Sequence, residues 1–434
     1  MSIRRVVLIA ASTLVAAAGA AYGQGRCGGG LNLAVDCAGL SFGSSERFSG
    51  LRFNWSDRDL QTINGLNLTF WRPRGRWSDD WMVSPGGTIN GMAVGLFPAA
   101  DHINGVSLGL GATLVGRSSA GLTFGLLAVV SQGSLSGINV GGLALVSERS
   151  ATGLNLGGLA LVSQGSLSGI NVGGLATVTQ GSADGLNVSL LAVVAQGSLT
   201  GINVGGLATV SQGDQTGINL SLLALVAQGS LVGANVGGLA LVAEGPITGI
   251  NVSALAAVSS RSLSGLNVGG LALVADRDLR GISVGGLAGV AGSGDIEGLA
   301  VGGLALVADR SIRGISVGGL AVVSGRGSIQ GGALSLGKVH ADEEIRGFSV
   351  GGYMVEAPDF RGASLGIVRT RMEELRGFAV SGYNHITLEQ RGLTIGIYNR
   401  ARELHGVQIG LLNYAGNNSP GLRWLPLLNF HFGD

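Results

Sequence analysis

The sequence predicts an all-β protein, a β-solenoid of about two dozen coils of 14–17 residues each. Three observations support this fold class. Glycine supplies 80 of the 434 residues and recurs at intervals of 16, as from Gly137 to Gly153. Asparagine fills the third position of nine consecutive repeats, and Phe124 is the single aromatic residue between Gly105 and Arg346.

The composition excludes several other classes. A hydrophobic content of 46% is too high for a disordered chain, and 7 prolines without a glycine at every third residue exclude collagen. So much glycine also excludes a set of stable helices, because each one costs roughly 0.5–1 kcal/mol relative to alanine inside a helix. The net charge of +1 gives no electrostatic reason to expect a nucleic-acid partner.

The first 23 residues have the pattern of a secretory signal peptide. Arg4 and Arg5 precede an apolar run over residues 6–21, and residues 21–23 (Ala-Tyr-Gly) form a small-residue cleavage site. The run is too short, and too rich in alanine and glycine, to span a membrane comfortably. We therefore expect an exported protein that resides in the periplasm, at the outer-membrane surface or outside the cell.

Residues 24–90 are predicted to form an N-terminal cap with weak repeats. Cys27 and Cys37 predict one local disulfide, because an even number of cysteines in an exported chain favours pairing; two free thiols are the alternative. The step from Gly65 to Gly91 is 26 residues, ten more than one repeat, and this insertion holds three of the five tryptophans. Its candidate binding residues are Trp71, Arg72, Arg74, Arg76, Trp77 and Trp81.

Two roles are open for this insertion. Tryptophan and arginine are enriched at binding hot spots, where they stack on sugars or pair with carboxylates. The alternative is a cap over the open end of the array, which terminal repeats need. The cap is the favoured interpretation.

Residues 91–346 form the regular array, in which the leading glycine of each repeat is position 1. In the repeat GINVGGLATVTQGSAD, which begins at Gly169, apolar residues occupy positions 2, 4, 7, 8 and 10, and mostly polar residues follow. This pattern predicts an extended stretch with buried aliphatic side chains, followed by a turn. A single repeat buries too little surface to fold alone, so the repeats are expected to stack.

The asparagine at position 3 predicts a ladder of hydrogen-bonded amides. When similar repeats stack in register, each side-chain amide can donate a hydrogen bond to the amide of the next repeat. The predicted ladder residues are Asn139, Asn155, Asn171, Asn187, Asn203, Asn219, Asn235, Asn251 and Asn267.

A large antiparallel β-barrel of the outer membrane is the alternative fold. Positions 5–7 alternate between Gly-Gly-Leu and Ser-Leu-Leu or Ser-Ala-Leu, which gives a period of 32 residues like that of repeated hairpins. Residues 428–432 also resemble a closing barrel strand. Three features favour the solenoid: antiparallel neighbours would not place asparagine on asparagine, successive turns are near copies, and the array lacks aromatic girdles.

Residues 347–434 are predicted to be divergent repeats that end in a C-terminal cap. Tyr353, Tyr383 and Tyr398 replace leucine at position 7, and arginine precedes the leading glycine of several repeats, with acidic residues nearby. We interpret these charges as a solvated turn edge on which carboxylates neutralise arginines. A charged binding stripe is the alternative.

Two segments of this region carry a family resemblance. The sequences GLTIGIYN (residues 392–399) and GVQIGLLN (residues 406–413) resemble the G-x-Q-I-G-L-x-N units of bacterial surface-repeat proteins of the leptospiral type. The match is good over residues 377–418 and looser in the central array, where alanine replaces the asparagine at position 8. The resemblance implies β repeats and a secreted or surface location, and it offers no catalytic residues to carry over.

Motifs that look like catalytic or metal sites are interpreted as parts of the repeat. Six segments match G-x-S-x-G, but this nucleophile motif needs a strand–turn–helix context, and its serine usually stands where other repeats have asparagine. The five histidines lack metal-ligand spacing, and the Gln-Gly-Ser turns lack the aspartates of calcium-binding repeats. We therefore predict no enzyme activity, no cofactor and no metal.

These features predict an exported, non-catalytic β-repeat protein of the cell envelope or surface, which acts as a structural spacer or a binding scaffold. A porin-like outer-membrane channel is the alternative function and belongs with the barrel. The partner is unknown, with an envelope glycan or another surface protein as candidates. Membrane association is expected only for the barrel alternative.

Overall fold

The computed structural model describes residues 27–71, 73 and 85–433. The chain divides into two compact units, Met1–Gly206 and Leu207–Asp434, and the regular elements of both are β-strands. The division between the units falls inside the regular array rather than at either of its expected ends.

The fold is a β-solenoid of about 19 turns, so the predicted fold class is confirmed and the expected two dozen coils were an approximate count. The predicted signal peptide, residues 1–23, lies outside the described residues. In the part of the chain that the structure describes, no helix is long and apolar enough to cross a membrane.

The first unit contains seventeen strands within its described residues. From the eighth strand onward, short strands of four residues alternate with long strands of seven or eight. The strands are β1 (Leu31–Val35), β2 (Ala38–Phe42), β3 (Arg47–Asn54), β4 (Thr62–Thr69), β5 (Thr88–Gly95), β6 (Ala99–Gly109), β7 (Ala112–Gly125), β8 (Ala128–Ser131), β9 (Ser134–Gly141), β10 (Ala144–Ser147), β11 (Ala151–Gly157), β12 (Ala160–Ser163), β13 (Leu167–Gly173), β14 (Ala176–Thr179), β15 (Ala183–Ser189), β16 (Ala192–Ala195) and β17 (Leu199–Gly205).

The second unit contains twenty strands within its described residues, and it keeps the same alternation until its last two strands. The strands are β18 (Ala208–Ser211), β19 (Gln215–Ser221), β20 (Ala224–Ala227), β21 (Leu231–Gly237), β22 (Ala240–Ala243), β23 (Ile247–Ser253), β24 (Ala256–Ser259), β25 (Leu263–Gly269), β26 (Ala272–Ala275), β27 (Leu279–Gly285), β28 (Ala288–Ala291), β29 (Ile296–Gly302), β30 (Ala305–Ala308), β31 (Ile312–Gly318), β32 (Ala321–Ser324), β33 (Ile329–Ser335), β34 (Lys338–Ala341), β35 (Glu344–Gly351), β36 (Met354–Ala415) and β37 (Trp424–His431).

A regular turn contains two strands rather than one extended apolar stretch. In the repeat that begins at Gly169, β13 is followed by a bend at Gly174 and Leu175, then by β14, and a polar turn at residues 180–182 leads to the next repeat. The Gly-Gly-Leu segment therefore ends one strand and forms the bend that leads to the next. The expectation of a single stretch was wrong because the residues on both sides of this bend are equally apolar.

Neighbouring turns pair in parallel and in register, so each residue lies beside its equivalent in the next turn. Asn171 of β13 pairs with Asn155 of β11 and with Asn187 of β15. The short strands follow the same rule, since Val178 of β14 pairs with Val162 of β12. This arrangement is that of the predicted solenoid and the opposite of the antiparallel pairing in the alternative fold.

Glycine is required at position 1 by the backbone and by the neighbouring turn. Gly169 has a φ of 101°, in the left-handed region that side chains rarely adopt. A Cβ atom there would lie 2.2 Å from the carbonyl oxygen of Gly153. The same geometry recurs from Gly50 to Gly406, which explains why this glycine persists while other positions vary.

The interior of each turn is narrow and partly polar. Around the turn that begins at Gly169, the buried side chains include Leu167 and Asn171 of the long strand and Thr177 and Thr179 of the short strand. Equivalent positions in other turns hold leucine, alanine and serine. The core is therefore a set of columns in which leucine and isoleucine alternate with small and amide-bearing residues.

The aliphatic side chains at positions 2 and 7 point outward, so the expectation that they are buried was wrong. Ile170 and Leu175 are 45% and 41% exposed. Successive side chains of a strand point to opposite faces, so placing Asn171 inside puts its two neighbours outside. The equivalent exposed residues include Ile138, Leu143, Leu159, Leu191 and Ile202 in the first unit and Ile218, Leu223, Leu239, Ile250, Leu255, Leu271 and Ile282 in the second.

The N-terminal turns are held by a disulfide and a buried ion pair. Cys27 and Cys37 are joined through their sulfur atoms, with 5.5 Å between their Cα atoms. Arg52 is fully buried, and its Nη1 donates hydrogen bonds to Asp57 Oδ1 at 2.7 Å and to Asn67 Oδ1 at 2.6 Å. Such a pair fixes the local arrangement, because removing one partner would leave the other charge buried and unpaired.

The C-terminal turns end in an antiparallel strand. β37 pairs with the last part of β36, with Gly406 opposite His431 and Gln408 opposite Asn429. This strand covers an edge that would otherwise offer unpaired backbone groups. The position-1 glycines from Gly50 to Gly406 form a glycine column, because each lies beside the next. Gly421, which begins a further repeat by sequence spacing, lies in the turn between the two strands and outside this column.

Candidate binding surfaces

The tryptophan–arginine insertion is described only at its start. Trp71 is 44% exposed, and its ring stacks on Trp55 with 6.2 Å between ring centroids and an angle of 20° between the planes. Trp55 was not among the sequence candidates because it lies one repeat earlier in the chain. The remaining candidates of this insertion lie outside the described residues: Arg72, Arg74, Arg76, Trp77 and Trp81.

The asparagine column forms hydrogen-bonded ladders inside the turns. In the first unit, each Nδ2 donates to the Oδ1 of the next asparagine at 2.7–2.8 Å. In the second unit, the same contacts measure 2.8 Å, and the last amide donates to Ser283 Oγ at 3.3 Å. The first ladder comprises Asn139, Asn155, Asn171, Asn187 and Asn203, and the second comprises Asn219, Asn235, Asn251 and Asn267.

The serines of the six G-x-S-x-G matches are also interior residues. They occupy position 3, as the asparagines do, and the one in β2 follows Gly39, which pairs with Gly50. All six are at most 3% exposed. The serines are Ser41, Ser107, Ser283, Ser316, Ser349 and Ser364.

A further amide ladder, absent from the sequence analysis, lies in the region that carries the family resemblance. Asn384 Nδ2 donates to Asn399 Oδ1 at 2.6 Å, and Asn399 Nδ2 donates to Asn413 Oδ1 at 2.7 Å. These are the asparagines at position 8, and all three are fully buried. Glycine at position 5 makes room for them, since a Cβ atom on Gly410 would lie 2.6 Å from Asn399 Nδ2. The asparagine that ends the motif G-x-Q-I-G-L-x-N was the sequence signal for this ladder.

The most distinctive outer surface of the last turns is a strip of stacked rings and guanidinium groups. Tyr383 lies 4.9 Å from Tyr398 with the rings 5° from parallel, and Tyr398 lies 6.0 Å from Trp424. Arg369 stands 5.3 Å above the Tyr383 ring, and Arg400 and Tyr414 form a similar pair at 5.7 Å. We call this surface the aromatic–arginine strip, and it comprises Arg369, Tyr383, His385, Tyr398, Arg400, Tyr414 and Trp424.

The local environment keeps the rings of the strip uncharged. Burial, and then the positive charges of Arg369, Arg400 and Arg371, lower the pKa of His385 below its ordinary value of 6.5. Burial, and then the neighbouring Tyr383, raise the pKa of Tyr398 above 10.0. At neutral pH the strip therefore offers neutral aromatic rings beside two guanidinium groups, a combination that suits stacking and anion pairing.

The arginines before the leading glycines form a separate charged edge. Each is paired with an acidic residue two positions earlier in the chain. The arginine side chains are 43–59% exposed, so each pair contributes little stability. The Asp359 and Glu389 carboxylates raise the pKa values of Arg361 and Arg391. The pairs are Arg346–Glu344, Arg361–Asp359, Arg376–Glu374 and Arg391–Glu389, at N–O distances of 2.6, 2.7, 3.1 and 2.6 Å.

A shallow recess of about 300 Å³ lies beside Glu356 in the second unit. Burial opposes ionisation of this carboxyl group, but Lys338 Nζ at 2.6 Å, with His340 and Arg371, holds the pKa of Glu356 below its ordinary 4.5. The recess is thus a neutralised charge cluster. Among the described residues, no group of three His, Cys, Asp or Glu side chains is placed to hold a metal ion.

No family model, no curated protein and no solved structure matches this chain. The resemblance to bacterial surface-repeat proteins therefore stays a prediction from the motif. The function has to be inferred from the surfaces themselves.

Proposed function

We propose that this protein is an exported, non-catalytic scaffold of the cell envelope or surface, and that the aromatic–arginine strip is its contact surface. The observation that supports a scaffold most directly is the in-register stacking of turns. The recurrent asparagines at position 3 point inward and bond to the next turn, as Asn171 does to Asn187. Recognition then falls to the outer surface.

The strip suits a saccharide that carries carboxylate or phosphate groups. Aromatic rings present apolar surface against which sugars pack, while Arg369 and Arg400 supply positive charge. An envelope glycan is therefore the proposed partner. The Tyr398 hydroxyl, which stays protonated at neutral pH, adds a hydrogen-bond donor.

Export is tested by removing residues 1–23 and fractionating the producing cells. The complete chain should reach the envelope or the medium, whereas the shortened chain should remain in the cytoplasm. Equal distribution of the two chains would refute export by this segment.

Glycan binding is tested with immobilised acidic envelope glycan and two matched variants. Arg400→Ala removes a guanidinium group of the strip and should weaken retention by about tenfold, a loss of about 1.4 kcal/mol. Arg391→Ala is the control, because its guanidinium group is already paired with Glu389 at 2.6 Å on the charged edge. Equal retention of the two variants would exclude the strip as the contact surface.

A further inference from the structure

Positions 1–10 of the regular repeats are uncharged over an unusually long stretch. Between Gly105 and Val323, fourteen consecutive repeats carry no charged residue at positions 1–10, and every charge lies at positions 12–17. The outward side chains at positions 2 and 4 belong to the long strand, those at positions 8 and 10 belong to the short strand, and position 7 lies at the bend between the two strands. We call this surface of each unit the apolar wedge.

The apolar wedge is exposed in both units when each is considered by itself. In the first unit, Leu143 and Leu159 at the bend are 48% and 49% exposed. In the second unit, Ile250 and Leu255 are 52% and 43% exposed. Soluble monomers rarely expose contiguous apolar patches above a few hundred Å², so a surface that repeats at every turn needs a covering.

The backbone of the apolar wedge is already satisfied, which decides what can cover it. The long strand β13 and the short strand β14 both pair in parallel with the equivalent strands of neighbouring turns. Even at the bend, Leu175 N donates to Leu159 O at 2.7 Å and Leu191 N donates to Leu175 O at 2.9 Å. An element whose polar backbone groups are bonded internally can enter hydrocarbon without leaving donors or acceptors unpaired.

The shape and chemistry of the apolar wedge favour a fluid covering over a second copy of the chain. The surface is convex, because it turns around Leu175 from the long-strand face to the short-strand face. A second solenoid would cover one flat face and leave the other in water. Lipid chains cover both faces, and they need no side chain of complementary shape or charge.

We propose that the apolar wedge of each unit inserts into one leaflet of a lipid membrane, with the polar turns at positions 12–14 facing water. This segregation of apolar and charged residues is the pattern of elements that lie in a membrane interface without spanning it. The mode of membrane association differs from the one expected from the sequence, where only an antiparallel barrel would contact lipid.

The position-7 column of the second unit supplies an independent observation. Beyond Leu320 this column holds Gly337, Tyr353, Val368, Tyr383, Tyr398 and Leu412, and Trp424 stacks on Tyr398. Tyrosine and tryptophan prefer the headgroup level of a membrane, because each has an apolar body and a polar tip. Arg369 stands over the Tyr383 ring and Arg400 over the Tyr414 ring, so positive charge accompanies the aromatic residues.

The test is flotation of the purified full chain with phosphatidylcholine vesicles. The first variant combines Leu239→Gln, Leu255→Gln and Leu271→Gln, three exposed leucines of the apolar wedge. The control combines Glu244→Gln, Ser260→Gln and Asp276→Gln, which place the same residue at exposed polar-turn positions of the same three repeats. Both variants keep residues 1–23, so this segment cannot account for a difference between them.

We expect the wild type and the control to float with the vesicles even at about 0.5 M salt, since the attraction is apolar and weakly screened. The leucine variant should show a partition coefficient at least about tenfold lower. A wild type that stays at the bottom of the gradient, or equal loss in both variants, would overturn the proposal. A discrete dimer that only the leucine variant dissociates, without vesicle binding, would assign the apolar wedge to a second copy.

A second measurement keeps the test decisive if the triple variant does not fold. The two native cysteines are paired, so a single new cysteine can carry an environment-sensitive fluorophore. A label at Leu255→Cys should shift to shorter wavelength when vesicles are added, whereas a label at Ser260→Cys should not. Identical responses at the two positions would contradict insertion of the apolar wedge.

Discussion

A buried asparagine of this array depends on residues in two other turns. Asn171 Oδ1 accepts a hydrogen bond from Asn155, and Asn171 Nδ2 donates one to Asn187, both at 2.8 Å. The side chain is fully buried, so water cannot replace either partner. Polar residues at this depth stabilise the fold only as a connected set, because each unpaired member keeps its desolvation cost.

Asn171→Leu should therefore reduce the free energy of unfolding by about 1–3 kcal/mol, since it leaves Asn155 and Asn187 each without one partner. Gln180→Leu is the control, because Gln180 is an exposed turn residue of the same repeat. Chemical denaturation of both variants measures the difference. Equal destabilisation would mean that the amide ladder contributes no more than a surface contact.

Glu356 gives a prediction about pH. Its pKa is lower in the folded protein than its ordinary 4.5, so its contribution to stability is complete above that value and is lost as the pH falls through the folded-state pKa. Glu356→Gln should consequently lower the melting temperature near pH 6, and by a smaller amount near pH 3.

Melting curves at the two pH values check this expectation for Glu356→Gln and for Glu373→Gln, an exposed neighbour that lines the same recess. A pH-independent effect of Glu356→Gln would show that the charge pairing with Lys338 does not stabilise the fold.

At the scale of strands, the close approach of neighbouring turns is set by the glycine column. Two adjacent glycines in β33 allow the effect of close contact between turns to be distinguished from the effect of glycine flexibility. Gly331 has a φ of 115°, and a Cβ atom there would lie 2.3 Å from Gly314 O. A Cβ atom on Gly332 would meet nothing within 4 Å.

Gly331→Ala should destabilise the protein by more than about 1 kcal/mol, because the backbone would be strained and the turns would have to separate. Gly332→Ala should be neutral or stabilise by up to about 1 kcal/mol, since it reduces the entropy of the unfolded chain. Thermal unfolding of the two variants provides the comparison. A stable Gly331→Ala protein would contradict the close packing of turns in this column.

The strands also show what could and could not be predicted from the sequence. The period of 16 and the repeated asparagine indicate stacked turns, because only in-register neighbours bring like residues together. The bend at Gly174 was missed, since apolar residues flank it on both sides. The outward direction of Ile170 was missed as well, because hydrophobicity alone does not say which face of a strand is buried when the interior holds amides.

The aromatic–arginine strip illustrates the same limit. Tyr383 and Tyr398 stand out in the sequence as replacements of leucine, but Trp424 reaches them only because β37 folds back antiparallel on β36. Arg369 and Arg400 lie outside the arginine positions that the repeat pattern singles out. Such contacts between different repeats depend on how the end of the array closes, which spacing does not reveal.

At the scale of the whole molecule, similar interfaces between turns make the array modular. Removing residues 153–184 deletes two complete repeats of the first unit and joins Thr152 to Gly185, so the order of positions is preserved. The shortened chain should fold, with a melting temperature within about 4 °C of the wild type, because stability in repeat arrays is a sum of similar neighbouring terms.

Removing residues 153–160 instead deletes half a repeat and serves as the control. At the junction, residues of one turn would then lie beside non-equivalent residues of the next turn, and the chain should lose its cooperative unfolding transition. Circular dichroism and calorimetry on both chains test the prediction. A stable half-repeat deletion would mean that the register between turns is not specific.

The glycine column and the matching turns also bear on how such a gene changes over generations. Because Gly153 and Gly169 meet their neighbours through the same atoms, a recombination event that inserts or removes whole repeats creates junctions that already fit. Events that break a repeat create junctions that do not. We therefore expect natural variants of this gene to differ in length by complete repeats, often in pairs, as the alternating 32-residue pattern suggests.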